Sequence, residues 1–118
     1  MAHQLDARMQ ECIDRCRSCE EICLESVRHC LEKGGKHARA DHVNLLIACG
    51  EICSTSARFM LLGSEHHVRT CELCAGVCEA CAKDCKSMGD DDMMQRCAEA
   101  CRRCSESCRQ MASSRTRS

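Results

Sequence analysis

CAGVCEACAKDC, residues 74–85, places cysteines at 74, 78, 81 and 85, with gaps of four, three and four. The same frame recurs as CIDRCRSCEEIC from Cys12 to Cys23 and as CAEACRRCSESC from Cys97 to Cys108. Gaps of three and four return a side chain to one side of an α-helix, so each stretch reads as a helix carrying a row of sulfur along one face. A fourth stretch, CGEICSTSARFM, keeps the register from Cys49 and Cys53 but continues it with Ser56 and Met60. It reads as a fourth helix with a diluted row.

Outward from these rows, four helices can be bounded. The first is expected from about Leu5 to Lys33, its stripe being Leu5, Met9, Cys12, Cys16, Cys19, Cys23, Ser26 and Cys30, with Gly34 and Gly35 as its stop. A helix of that length runs roughly 40 Å. The second is expected from an N-cap at Asp41 to about Leu62, closed by Gly63, on the stripe His42, Leu46, Cys49, Cys53, Ser56 and Met60. Leu45, Ile52 and Phe59 fall on an adjacent stripe and make this the helix that supplies most of the ordinary apolar core. The third is expected to start at Ser64, to carry His67, Cys71, Cys74, Cys78, Cys81, Cys85 and Met88, and to end at Gly89. Asp90, Asp91 and Asp92 suit the start of the fourth, where carboxylates oppose the positive end of the helix dipole. That helix carries Met94, Cys97, Cys101, Cys104, Cys108 and Met111.

Short connections between four such helices predict an all-α fold, an antiparallel up-and-down four-helix bundle with a cysteine-lined core. Residues 1–112 are expected to form this single domain and residues 113–118 a polar tail. Composition agrees: 118 residues contain no Pro, and Leu, Ile, Val and Phe together supply only 17 of them. With so few conventional core residues, cysteine must fill the interior, which its small apolar thiol allows.

A net charge of −1, with both signs mixed along the chain, leaves no basic footprint for nucleic acid or an anionic membrane. Phe59 is the sole aromatic residue, so stacking platforms for single strands are absent too. No apolar run approaches the roughly 20 residues that span a bilayer, and the N-terminal sequence has no secretory pattern. The expected location is the cytoplasm, where thiols stay reduced and dense cysteine signals metal rather than a disulfide framework.

Packing alone does not account for three copies of one spacing frame, since alanine fills the same space without redox liability. A closed zinc site wants one discrete tetrahedral set rather than a continuous ladder. Iron–sulfur binding of the ferredoxin kind uses loop-borne cysteines of other spacings, followed by Pro. Monovalent copper suits the pattern best. Cysteines at i and i+4 stand about 5–6 Å apart at Cβ and can flank a soft ion that accepts two or three sulfurs. A buried thiolate is costly unless matched by a positive charge, so a singly charged ion needs about one ion per thiolate. The alternative class is a cysteine-rich redox, iron–sulfur or zinc-binding protein. No Ser/His/Asp set, paired-carboxylate pocket or Gly-rich phosphate loop is visible, and the chain is read as a non-enzyme.

Four cysteine-lined helices, repeated CxxxC pairs, the HVNLLIACGEIC stretch of the second helix and the absence of a signal peptide resemble the cytosolic copper storage proteins, over nearly the whole chain. Exported members of that family carry a signal peptide. The resemblance implies a homotetramer whose bundles each hold many Cu(I) ions, keeping copper available and harmless. It implies as ligands all 16 cysteines: Cys12, Cys16, Cys19, Cys23, Cys30, Cys49, Cys53, Cys71, Cys74, Cys78, Cys81, Cys85, Cys97, Cys101, Cys104 and Cys108. Ligands that admit the ion are expected at the stripe ends, from His67, Met9, Met60 and Met111 at one end and from His42, with Met88 and Met94, at the other. The His67 end offers more soft donors and is the expected mouth. His3, His29, His37 and His66 lie off the stripes and receive no role.

Overall fold

Asp6 opens the first helix. Its Oδ1 accepts the Met9 N–H at 2.8 Å and caps α1, Ala7–Lys33. The computed structural model describes residues 6–113; Leu5, His3 and the rest of the tail, residues 114–118, lie outside the described residues. α1 ends where expected. Gly34, at φ 75°, returns its N–H to the Cys30 carbonyl at 3.0 Å. A short 3₁₀ turn, Gly35–Ala38, leads to α2, Ala40–Leu61; α3 spans His67–Lys86 and α4 Asp92–Ser113.

Helix ends depart from the sequence reading in four places. Asp41 is not the cap of α2: the 3₁₀ turn brings the helix in at Ala40, and Asp41 sits in the first turn, where its Oδ1 accepts the His42 N–H at 3.0 Å. Ser64 does not start α3. Its carbonyl and hydroxyl accept the His67 and His66 N–H groups, each at 3.1 Å, which spends it on a turn and delays the helix to His67. The end of α3 falls at Lys86, with Gly89 at φ 82° turning the chain after it. The acidic run does its expected work through Asp91, whose Oδ1 caps α4 on the Met94 N–H at 3.1 Å. Ser113, assigned to the tail, still belongs to α4.

Each helix packs on its two neighbours in the order α1, α2, α3, α4 and back to α1, and short links make successive helices antiparallel. The rod measures 52 × 21 × 20 Å. All sixteen thiols face its axis, none more than 1% exposed. The largest apolar residues buried with them are Ile13, Leu46, Met60 and Met94. α2 contributes Val43, Leu46, Ala57 and Met60 to this core, whereas Leu45, Ile52 and Phe59, expected to supply it, are only half-buried. They sit one position off the sulfur stripe, and the narrow cysteine core leaves the second stripe at the rim.

Polar bonds clasp the helices from outside. Arg15 of α1 donates to Ser107 Oγ and the Arg103 carbonyl of α4 at 2.9 and 3.3 Å. Ser105 of α4 donates to the Ala75 carbonyl of α3 at 3.0 Å, and Arg109 pairs with Glu79 at 2.8 Å.

Candidate metal centre

Because gaps of three and four drift only slowly around a helix, each row stays on the bundle axis for its full length and meets rows from the other helices. Sulfurs on different helices approach to 3.6 Å at Cys12–Cys108, Cys19–Cys101 and Cys49–Cys78. The i, i+4 pairs are no tighter: 4.0 Å for Cys19–Cys23, 3.7 Å for Cys74–Cys78 and 4.0 Å for Cys104–Cys108. The two-sulfur clamp expected along one helix is therefore matched by clamps between helices.

These contacts build five groups whose sulfurs all lie within 4.8 Å of one another. From the end that holds the start of α1 they are Cys12, Cys71 and Cys108; Cys16, Cys74, Cys104 and Cys108; Cys19, Cys53, Cys78 and Cys104; Cys19, Cys23, Cys49 and Cys101; and Cys23, Cys81, Cys97 and Cys101. Neighbouring groups share at least one cysteine throughout. Cys85 joins the row through Cys81 and Cys97, which hold its thiol protonated, with burial adding to the effect.

Protons are unevenly held along the row. Hydrogen bonding to Cys104, and then to Cys16 and Cys19, pushes Cys53 up, and bonding to Cys19 and Cys23 does the same to Cys101. Cys49 is held down by Cys101 and Cys19. Adjacent buried sulfurs cannot all carry charge, so most of the row keeps its protons, as Cys53, Cys85 and Cys101 do.

Cys30 stands apart from the five groups. Its Sγ lies 3.3 Å from His42 Nε2 and 3.7 Å from Met94 Sδ, making a buried set of thiol, imidazole and thioether. On the far side of the ring, His42 Nδ1 bonds the Asp84 carboxylate. With the Nδ1 proton directed to that carboxylate, Nε2 is left with its lone pair toward the sulfurs. Burial, and then the charge of Asp91, pushes the Cys30 thiol up to about 11.

The opposite end is arranged differently. His67 is half-buried and its Nδ1 lies 2.8 Å from the Ser64 carbonyl, a bond within its own turn. Met60 and Met111 are buried and Met9 half-buried in the core beside the first thiols, while Met88 is half-buried at the Cys30 end. Both stripe ends thus hold the donors expected there, but the imidazole in contact with a thiol is that of His42.

Sequence reasoning missed one cluster beside this end. Asp91, with its side chain 4% exposed, receives His29 Nε2 at 2.9 Å and Lys33 Nζ at 3.3 Å. His37 Nε2 lies 3.0 Å away without hydrogen-bond alignment. Burial raises the Asp91 carboxyl, but the bonds from His29, the Met94 N–H and Lys33 outweigh it and hold it well below the usual carboxylate range. Lys33 in the last turn of α1, with His29 one turn before it, was the available signal, since cations favour that end. Nothing local to Asp91 announced them as its partners.

Comparison with known proteins places this geometry. The family model described as "Csp: Copper storage protein" matches residues 5–113. A protein of Nitrosospira multiformis, Nmul_A1745, is 46% identical, with a TM-score of 0.87 over 92% of this chain and 98% of that one. The Cu(I)-bound copper storage protein BsCsp3 is 35% identical, with a TM-score of 0.83 over 89% and 98% of the two chains. The apo form of copper storage protein 3 from Bacillus subtilis, also 35% identical, gives 0.78 over 87% and 97%. No curated protein sequence matches.

Proposed function

We propose that this chain, which belongs to the copper storage protein family, stores Cu(I) in bulk by taking ions into its thiol tube until about one is held per sulfur. The observation that carries this reading is the sharing of cysteines between successive groups. A discrete structural or catalytic centre needs one closed set of ligands, whereas a chain of linked sets offers bridging sulfur along its whole length. All sixteen cysteines are the proposed ligands. The chemistry is sequestration: copper is the cargo, each ion displacing a thiol proton that leaves to water.

Copper is admitted, in this reading, at the Cys30 end. His42, Cys30 and Met94 form a soft three-donor set, and neutral imidazole and thioether hold Cu(I) more weakly than thiolate does, which suits a site that must pass the ion inward. The larger donor count at the His67 end weighs less than this contact, because among the described residues the His67 ring makes no hydrogen bond to a thiol and His42 does. A reducing cytoplasm suits a store built from free thiols. Assembly into a tetramer is what the family resemblance implies.

The decisive experiment is an anaerobic titration of the reduced apo protein with Cu(I) against a chromophoric chelator. The chelator should stay uncoloured until on the order of one ion per thiol has been added. Colour from about four ions per chain would overturn bulk storage.

A further inference from the structure

Two hydroxyls stand in the sulfur rows. Ser26 follows Cys23 by three residues and precedes Cys30 by four; Ser56 follows Cys53 by three and precedes Met60 by four. Each occupies a position that the cysteine frame would give to a thiol, and each is 0% exposed. Neither Oγ makes a hydrogen bond to any described residue.

That state is unusual for this chain as well as in general. A buried serine in a helix ordinarily bonds the carbonyl one turn back or a neighbouring polar group. The other two buried serines do so: Ser105 donates to the Ala75 carbonyl and Ser107 accepts from Arg15. Ser26 and Ser56 instead stand in register with the sulfurs of their rows, which as neutral thiols are weak acceptors, and bond none of them. Alanine would fill either place without leaving a hydroxyl unpaired, so packing does not explain the choice.

We infer that Ser26 and Ser56 are positioning donors for the copper-loaded row. As Cu(I) replaces thiol protons, which leave to water, the neighbouring sulfurs become thiolates, and a hydrogen bond to a charged acceptor is about twice as strong as a neutral one. The Ser26 hydroxyl then donates to Cys23 and the Ser56 hydroxyl to Cys53, each three residues back in its own row. Cys23 belongs to two of the five sulfur groups and Cys53 to a third, so the donors fix sulfurs in three adjoining groups. The hydroxyls lack partners in the empty protein and gain them in the full one, which biases the chain toward retaining its load.

This inference rests on the storage reading, and the test separates the two. Ser26→Ala, Ser56→Ala and the double variant, as full chains, are compared with the parent for the thermal midpoint of the apo protein, Cu(I) capacity and the rate and extent of Cu(I) loss to a competing chelator. The expected result has opposite signs. The apo midpoint is unchanged or higher, capacity matches the parent, and retention weakens by about tenfold for the ions nearest each site. A lower apo midpoint shows the hydroxyls already bonded in the empty protein and overturns the inference, as does unchanged retention at full capacity. A parental plateau near four ions overturns the storage reading itself, and this inference with it.

Discussion

His42 Nε2 stands 3.3 Å from Cys30 Sγ, while Asp84 holds the opposite ring nitrogen. This is the one thiol–imidazole contact among the described residues, and it occurs at the cysteine farthest along α1, outside the linked sulfur groups. If this is where Cu(I) arrives, His42→Ala should slow loading by tenfold or so while leaving final capacity nearly unchanged, because the tube is untouched. Asp84→Asn should slow it less, by freeing the ring rather than removing it. Stopped-flow loading of both variants, beside a His67→Ala, Met9→Leu, Met60→Leu triple variant, decides the mouth. Slowing confined to the triple variant would move it to the other end.

Loading should release about one proton per ion, since the ligand is the thiolate and the metal-free row is held mostly protonated. Cys30, pushed up to about 11 by burial, is the plainest case. Apparent affinity should therefore rise with pH, by about tenfold per pH unit for each proton displaced. Proton release measured in weakly buffered solution checks the count; release well below one per ion would mean that thiolates are already present in the empty tube.

The protein should keep its helices without copper. Ile13, Leu46, Met60 and Met94 are buried among neutral thiols that pack as apolar groups, and the caps at Asp6 and Asp91 owe nothing to metal. Far-ultraviolet circular dichroism of the reduced apo form should change little on loading. Leu46→Ala should cost the apo form about 2–5 kcal/mol in denaturant unfolding. A coil spectrum after copper removal would contradict the packing argument.

Asp91 should make apo stability sensitive to acid. Its folded carboxyl lies below the unfolded value of about 3.9, so the unfolded chain binds the proton first. The contribution is whole above about pH 5 and is lost as pH falls through the lowered folded value. Asp91→Asn should cost about 1–3 kcal/mol at neutral pH, where Lys33 and His29 lose a charged partner. The variant should also show a shallower loss below pH 4, and parallel acid titrations would refute this account.

The sulfur rows were legible because helix geometry converts sequence spacing directly into a face, and sixteen repetitions leave little ambiguity. Among the described residues, helix number, chain direction and the membership of each stripe followed from that; Leu5, expected on the first stripe, lies outside them. Caps were harder. Asp41 and Ser64 are both sound N-cap residues, but the 3₁₀ turn and the Ser64 turn, each set by a few backbone bonds, decided otherwise. The orientation of His67 and His42 was out of reach for the same reason, since each ring is turned by a single partner, the Ser64 carbonyl or Asp84. His29, Lys33 and Asp91 come together only once α1 and α4 are antiparallel, so their meeting belongs to tertiary structure alone.

The sharing of Cys108, Cys104, Cys19, and the pair Cys23 and Cys101 between successive groups has a kinetic meaning. With no unshared gap between these five groups, an ion passed along them would exchange one sulfur for the next without leaving the buried row. If ions enter and leave by one mouth, as proposed for the Cys30 end, they stand in a queue: the last admitted is the first surrendered. Withdrawal should accordingly proceed at a rate set by the front of the queue, nearly constant while the store is full and slowing only as it empties, which is the behaviour of a reservoir rather than of a buffer.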